Sequence, residues 1–323
     1  LPARQIMLGP KHTHPVASQS QTQLKDIEKT LPLRVLSEAG WDHWITKGYV
    51  IVRQAVPSAS VDRLVNLLWA FDEKDPSDPA TWYAPQRREH KMLELNNTGM
   101  LEIYHHQYLW DHRQERHVYD AFVDIWDRED LWVTIDRANL NPPEREPSGS
   151  EGFIHWDVDT SLRPLPIGVQ GVLSLAKQDE AVGGFHCIPE LFHVEKWAES
   201  QPVDRDPTHP DTRGLKSIHV ELDAGDLLIF NSLLAHGVRP NRSKNRVRMA
   251  QYISMSPAAG HDEAERAERI RLWREQDHPQ RDAFLGDPRQ WEKRNGPTAT
   301  LTDLGERLLG VKSWDDKGGR DPR

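Results

Sequence analysis

One cysteine, Cys187, is all that this chain of 323 residues has, which excludes an internal disulfide framework and any multi-cysteine zinc or iron–sulfur site. Metal chemistry is thereby left to histidine, aspartate and glutamate. No apolar run approaches the length of a membrane span, and the first residues, Leu1-Pro-Ala-Arg-Gln, lack the charged-then-apolar plan of a signal peptide. A soluble cytoplasmic protein with no membrane partner is therefore expected, and the sequon Asn241-Arg-Ser243 reads as incidental. A basic surplus is also missing: 41 Lys and Arg stand against 50 Asp and Glu, for a net charge of −9. Nucleic acid is not an expected partner, because phosphate binding needs a basic surface. Nothing in the composition speaks to oligomeric state.

What is present is a succession of short strands. Gly48-Tyr-Val-Ile-Val-Arg reads as a strand rich in β-branched residues, and Ser58 or Ser60 can cap a helix with apolar positions Val61, Leu64, Val65 and Leu68. Arg116 to Trp126 is a second helix. Leu131 to Asn141 is expected as one strand with Arg137, Asn139 and Asn141 on one face, lining either a polar cavity or a solvated edge. Further strands follow at Leu165–Ala176, after Gly183-Gly184, at Leu227–Phe230 after the Gly225-Asp226 turn, and from Arg246. Strands at near-regular spacing with Gly/Pro/Asp turns and no βαβ alternation indicate a sandwich, jelly roll or barrel. A charged helix begins near Asp262, and helices continue to about residue 315. Residues 1 to about 30 lack periodicity and read as a loosely ordered arm. A single domain over 31–323 is expected, with its β core at about 130–256 and C-terminal helices at 262–315.

The chemistry is concentrated in Gly152-Phe-Ile-His155-Trp-Asp157 and, far downstream, in His236-Gly237. On a strand, residues i and i+2 share a face, so His155 and Asp157 can hold one ion while Trp156 turns away. Two histidines and one carboxylate suit a mononuclear non-haem iron(II) centre with open positions. With 16 histidines in the chain a His-x-Asp pair also arises by chance, and His209-Pro-Asp211 is such a copy in a Pro/Asp-rich loop. Taken alone, the spacing leaves metal binding and a structural histidine both open.

Together with Gly184–Pro189, Gly225-Asp226, His236-Gly237 and an arginine shortly after Asn241-x-Ser243, these residues resemble the phytanoyl-CoA dioxygenase family of iron(II)/2-oxoglutarate oxygenases over roughly Gly40 to Ser256. The resemblance implies a β-rich α+β fold, a double-stranded β-helix of jelly-roll type with flanking helices, and an enzyme that uses Fe(2+), 2-oxoglutarate and O2. It implies His155, Asp157 and His236 as metal ligands. The far carboxylate of 2-oxoglutarate then needs an arginine fork. Arg248, two residues before Ala250, matches the family's arginine, and Arg246, expected on the same strand face, is the substitute. Asn139 matches a co-substrate contact in related hydroxylases. The chain departs from the family at Glu190–His193, which puts a role for His193 in doubt, and at Val238, where a serine is frequent. The retained Asp157 disfavours halogenation, which in related enzymes goes with a small residue there.

Hydroxylation of a small-molecule substrate with release of succinate and CO2 is the expected reaction, with desaturation, cyclisation or epimerisation open on the same centre. A zinc-dependent hydrolase also fits two histidines and an aspartate, although no His-Glu-x-x-His helix supports it and Arg248 would have no task. A jelly-roll module with a vestigial site is a third reading, opposed by the intact ligand set. Arg137, His105 and Trp156 are candidate substrate contacts, and none of them declares a substrate class.

Overall fold

In this computed structural model the described residues are 24, 27–84, 99–146, 149, 151–162, 164–192, 202, 204–281 and 283–316. Most of the N-terminal arm, His193 and the helical character expected near Trp197 lie outside them.

Eleven strands among the described residues pair antiparallel throughout. The larger sheet orders β1 (Tyr49–Val52), β8 (Leu227–Asn231), β5 (Val169–Ser174), β10 (Arg248–Tyr252), β4 (Ala138–Asn141) and β2 (Met100–Leu101). Facing it are β7 (Ile218–His219), β6 (Gly184–Ile188) and β9 (Ala235–Arg239), and a separate ribbon joins β3 (Leu131–Val133) to β11 (Met255–Pro257). Helices α1 (Glu38–Lys47), α2 (Ser58–Asp72), α3 (Gln107–Arg113), α4 (Arg116–Trp126), α5 (Glu263–Glu275), α6 (Trp291–Asn295) and α7 (Asp303–Leu309) complete the described elements. This is the jelly-roll core with flanking helices that the family resemblance implies.

Strand periodicity divides the interior into two cores. On β8, Leu227 and Ile229 join the helix-side core while Leu228 and Phe230 join the core between the sheets, as a repeat of two requires. The same alternation sends Met249 of β10 and Ala138 and Leu140 of β4 to the helix side. It leaves Arg248, Ala250, Tyr252, Asn139 and Asn141 on the face between the sheets. That interior is apolar near β1 and β8 and polar near β10 and β4.

Several expectations change. The stretch around His155 is not a strand: its one ladder contact is an isolated bridge, His155 with His236. Leu131–Asn141 breaks at residues 134–137, so that β3 and β4 enter different sheets. Pro57, not a serine, is the N-cap of α2, and the Ser60 hydroxyl donates back to the Pro57 carbonyl at 2.6 Å. The described end of the N-terminal arm is anchored, since Lys29 donates to the Asp124 carbonyl and Thr30 to the Asp127 carboxylate, both at 2.7 Å.

Candidate metal centre

His236 is the second residue of β9, and its backbone exchanges two hydrogen bonds with His155, N–H to carbonyl at 2.8 and 3.0 Å. Such a pair sets two side chains next to each other, and the imidazole centroids are 4.5 Å apart. Asp157 completes the group: His155 Nε2 lies 3.3 Å from its Oδ1 and His236 Nε2 3.4 Å from its Oδ2. Trp156, between them in sequence, turns into the apolar core between the sheets, which is the alternation the spacing predicts. The three ligand atoms lie within 4.8 Å of one another, and no other group of three His, Cys, Asp or Glu among the described residues meets that condition. His209 instead meets Asp206 at 3.0 Å on the surface.

These donors fit one ion. The Nδ1 of His236 donates to the Leu234 carbonyl at 2.8 Å, which leaves the Nε2 lone pair directed to the Asp157 side, the usual arrangement for a metal-ligating histidine. An ion about 2.1 Å from each donor sets neighbouring donors roughly 3.0–3.4 Å apart, matching the two observed contacts. Burial pushes the His236 imidazole below its ordinary range, against the opposing pull of Asp157. Phe185 and Phe230 flank the ring. Cys187, paired across the ladder with His236, is not a rival ligand, because burial pushes its thiol up and keeps it protonated.

Gly237 has a steric reason. A Cβ there would stand 1.8 Å from the Phe153 carbonyl oxygen, so only glycine lets the approach to His155 lie across β9. The Gly183-Gly184 turn likewise makes room: a Cβ on Gly184 would meet Gln178 Oε1 at 2.3 Å and Arg248 Cδ at 3.5 Å.

The two candidate arginines separate clearly. Arg246 lies ahead of β10, not on its face, and its guanidinium grips Asp179 with two bonds of 2.7 and 2.9 Å at the surface. That grip holds the Asp179 carboxyl down to about 2. Arg248 is 7% exposed, inside the sandwich, and no carboxylate among the described residues lies within ion-pair distance of it. Its neighbour is the Tyr252 hydroxyl, which burial pushes up and Arg248 pulls down. Gly184, beside the Arg248 side chain, pairs with Arg239, whereas Cys187 pairs with His236. The arginine thus enters about 10 Å along β6 from the level of the histidines, at 3.3 Å per residue. Val238, on the same face as His236, is 38% exposed. Asn139 is buried on that face, and Tyr252 is the contact that sequence reasoning missed, although its spacing of four from Arg248 is the signal for a shared face.

The three expected substrate contacts serve the scaffold. Arg137 donates to Glu102 Oε1 and to the Ala283 carbonyl, both at 2.7 Å, and stacks on Phe284. Glu102 also accepts from Tyr104 and from the Gly286 amide. His105 is fully buried, donates from Nε2 to the Asp277 carbonyl at 2.7 Å, and is held down to about 3 by burial. These residues fasten Asp277, Ala283, Phe284, Gly286 and Glu292 to the chain just after β2 and just before β4. A cleft of about 250 Å³ beside them is lined by Glu102 and Glu292, and both carboxylates are already hydrogen-bonded. Trp156, 1% exposed, is core.

A family model described as phytanoyl-CoA dioxygenase matches residues 44–250. The chain is 26% identical over 246 residues to "Ava biosynthesis cluster protein O" of Aspergillus versicolor, which covers 67% of this chain and 76% of that relative. Among solved structures it resembles GlcNAc Inducible Gene 2 of Candida albicans, with a TM-score of 0.59, 11% identity and coverage of 86% and 77%. It also resembles the hypothetical protein JW0805 of Escherichia coli, with a TM-score of 0.59, 15% identity and coverage of 85% and 82%. At such identities the two structures establish the fold alone.

Proposed function

Since this chain belongs to the phytanoyl-CoA dioxygenase family, and is thus a non-haem iron(II)/2-oxoglutarate-dependent oxygenase, we propose that it hydroxylates an unactivated C–H bond of a small-molecule metabolite at a centre built from His155, Asp157 and His236. Iron(II) with 2-oxoglutarate and O2 supplies oxidative decarboxylation to succinate and CO2, coupled to insertion of the second oxygen atom into the substrate C–H bond. The observation that carries the reading is the convergence of three donors from two distant segments within 4.8 Å.

The chain's own residues then have defined tasks. Asp157 offers one oxygen towards each imidazole, which balances part of a dication's charge in a half-buried setting. The Leu234 carbonyl fixes the His236 tautomer. Arg248 offers its fork to the distal carboxylate of 2-oxoglutarate, and the Tyr252 hydroxyl stands beside it in place of the hydroxyl that Val238 lacks. Asn139 lines the same face. Phe185 and Phe230 keep one side of the centre dry. The Aspergillus relative is named for a biosynthesis cluster, which supports a small metabolite as substrate class.

The test is oxygen uptake with succinate formation in the presence of iron(II) and 2-oxoglutarate. The wild-type protein is expected to form succinate and Asp157→Ala to form none. Undiminished succinate from that variant would refute the ligand assignment.

A further inference from the structure

His155 reaches the centre on a stretch without strand pairing, so something besides the single bridge to His236 must set its position. The Phe153 carbonyl, two residues upstream, rests on the Cα of Gly237. The same point is approached by His186 of β6: a Cβ on Gly237 would lie 2.7 Å from His186 Nε2, and a Cβ on Gly152, whose φ is +92°, would lie 3.2 Å from that nitrogen. Two glycines therefore clear the space in which His186 Nε2 meets the incoming chain. His186 is 1% exposed, and its Nδ1 is bonded to Ser217 Oγ at 2.9 Å. Its Nε2 makes no hydrogen bond among the described residues, and the Phe153 carbonyl oxygen is the acceptor it faces across the Gly237 Cα. With the carbonyl able only to accept, Nε2 carries the proton, and Nδ1 accepts from the serine hydroxyl.

The geometry points to His186 as a positioning residue that clamps the Phe153 carbonyl and so holds the His155 imidazole at the metal, with Ser217 orienting the clamp from the far side. The inference rests on the ligand assignment above. It acts through backbone, two residues removed from the ligand, and so touches neither substrate nor metal. Outer partners that orient ligands in this way are worth roughly 10- to 100-fold in metal affinity when removed.

The experiment is a titration of the full chain with manganese(II), which binds such sites without oxygen chemistry, alongside the melting temperature of the metal-free protein. His186→Leu removes the hydrogen bond to Ser217 and the N–H that faces the Phe153 carbonyl, and is expected to weaken manganese binding roughly 10- to 100-fold. His186→Gln keeps a donor for Phe153 and an acceptor for Ser217, and is expected to retain most of the affinity. Equal affinity in His186→Leu and wild type would overturn the inference, as would His186→Gln as weak as His186→Leu, because the hydrogen bond would then not matter. Should His186→Leu fail to fold, Ser217→Ala decides: a several-fold loss of affinity with unchanged metal-free melting supports the clamp, and no loss overturns it. A wild-type protein that bound no metal would remove the triad itself, and this inference with it.

Discussion

An arginine inside a β sandwich with no carboxylate among the described residues within reach is costly unless an anion arrives to meet it, and Arg248 is such a residue whereas Arg246, two positions earlier, is not. Removing a charge-assisted partner of a bound carboxylate is worth about 1.5–3 kcal/mol, or roughly 10- to 150-fold in an equilibrium constant. Arg248→Ala is expected to raise the apparent KM for 2-oxoglutarate by such a factor, read from succinate formation. Arg246→Ala should leave that KM unchanged, because its exposed pair with Asp179 contributes no more than about 1 kcal/mol to stability. The grouping of His155, Asp157 and His236 was legible in the sequence because His155 and Asp157 obey the period of two and His236 carries its glycine. The choice between the arginines was not, since it depends on where β10 begins. The pairing of Arg137 with Glu102 was not legible, because Glu102 follows β2, a strand of two residues with almost no sequence signal.

At the scale of elements, α4 shows how a helix can fasten a segment that has no secondary structure. Asp124, buried on α4, accepts the backbone N–H of Arg34 on one oxygen and those of Val35 and Leu36 on the other, each at 2.8 Å. Asp124→Ala would strand one buried and two half-buried donors, at about 1 kcal/mol each, so a loss of roughly 2–3 kcal/mol is expected in urea unfolding. A loss under about 1 kcal/mol would show that water replaces the carboxylate. Helix α4 was legible to the residue from its apolar spacing, and β1 and β8 from their β-branched and apolar runs. The break between β3 and β4 was not, because Thr134 to Arg137 carry no proline or glycine to announce it. The stretch around His155 alternates like a strand yet pairs at one residue only, because the Phe153 carbonyl crosses over Gly237 instead of entering a ladder.

For the molecule as a whole, histidine burial sets the response to acid. His43, His105, His106, His112, His186, His219 and His236 are all lowered from their ordinary value of 6.5, burial being the largest cause in each. The unfolded chain takes up protons near pH 6.5 that the folded chain refuses, so their contribution is full above that pH and is lost as pH falls. Each histidine kept neutral can cost up to ~1.4 kcal/mol per pH unit below it. Glu292 works the other way: burial raises its carboxyl from 4.5 to about 7, so the fold holds that proton across this window and loses stability as pH rises through it. Seven histidines against Glu292 and Asp136, whose carboxyl burial also raises, make the net direction destabilising in acid. The melting temperature of the metal-free protein is expected to fall by several degrees from pH 7.5 to 5.5, and a flat or rising profile would contradict this. At this scale a β sandwich, jelly roll or barrel was legible from strand spacing and turn chemistry, and the resemblance to the family narrowed it to the jelly roll with flanking helices. The fastening of Ala283 and Glu292 to the chain beside β4 and β2 was not, because its anchors meet across more than 140 positions of chain.

The central claim, that one ferrous ion sits among His155, Asp157 and His236 with 2-oxoglutarate chelated to it, is met most directly by anaerobic titration of the metal-free protein with iron(II) in the presence of 2-oxoglutarate, followed by the visible charge-transfer absorption of a keto acid on ferrous iron. The account predicts an absorption that saturates at one iron per chain and is absent in Asp157→Ala. No absorption in the wild-type protein, or an equal one in the variant, would contradict it.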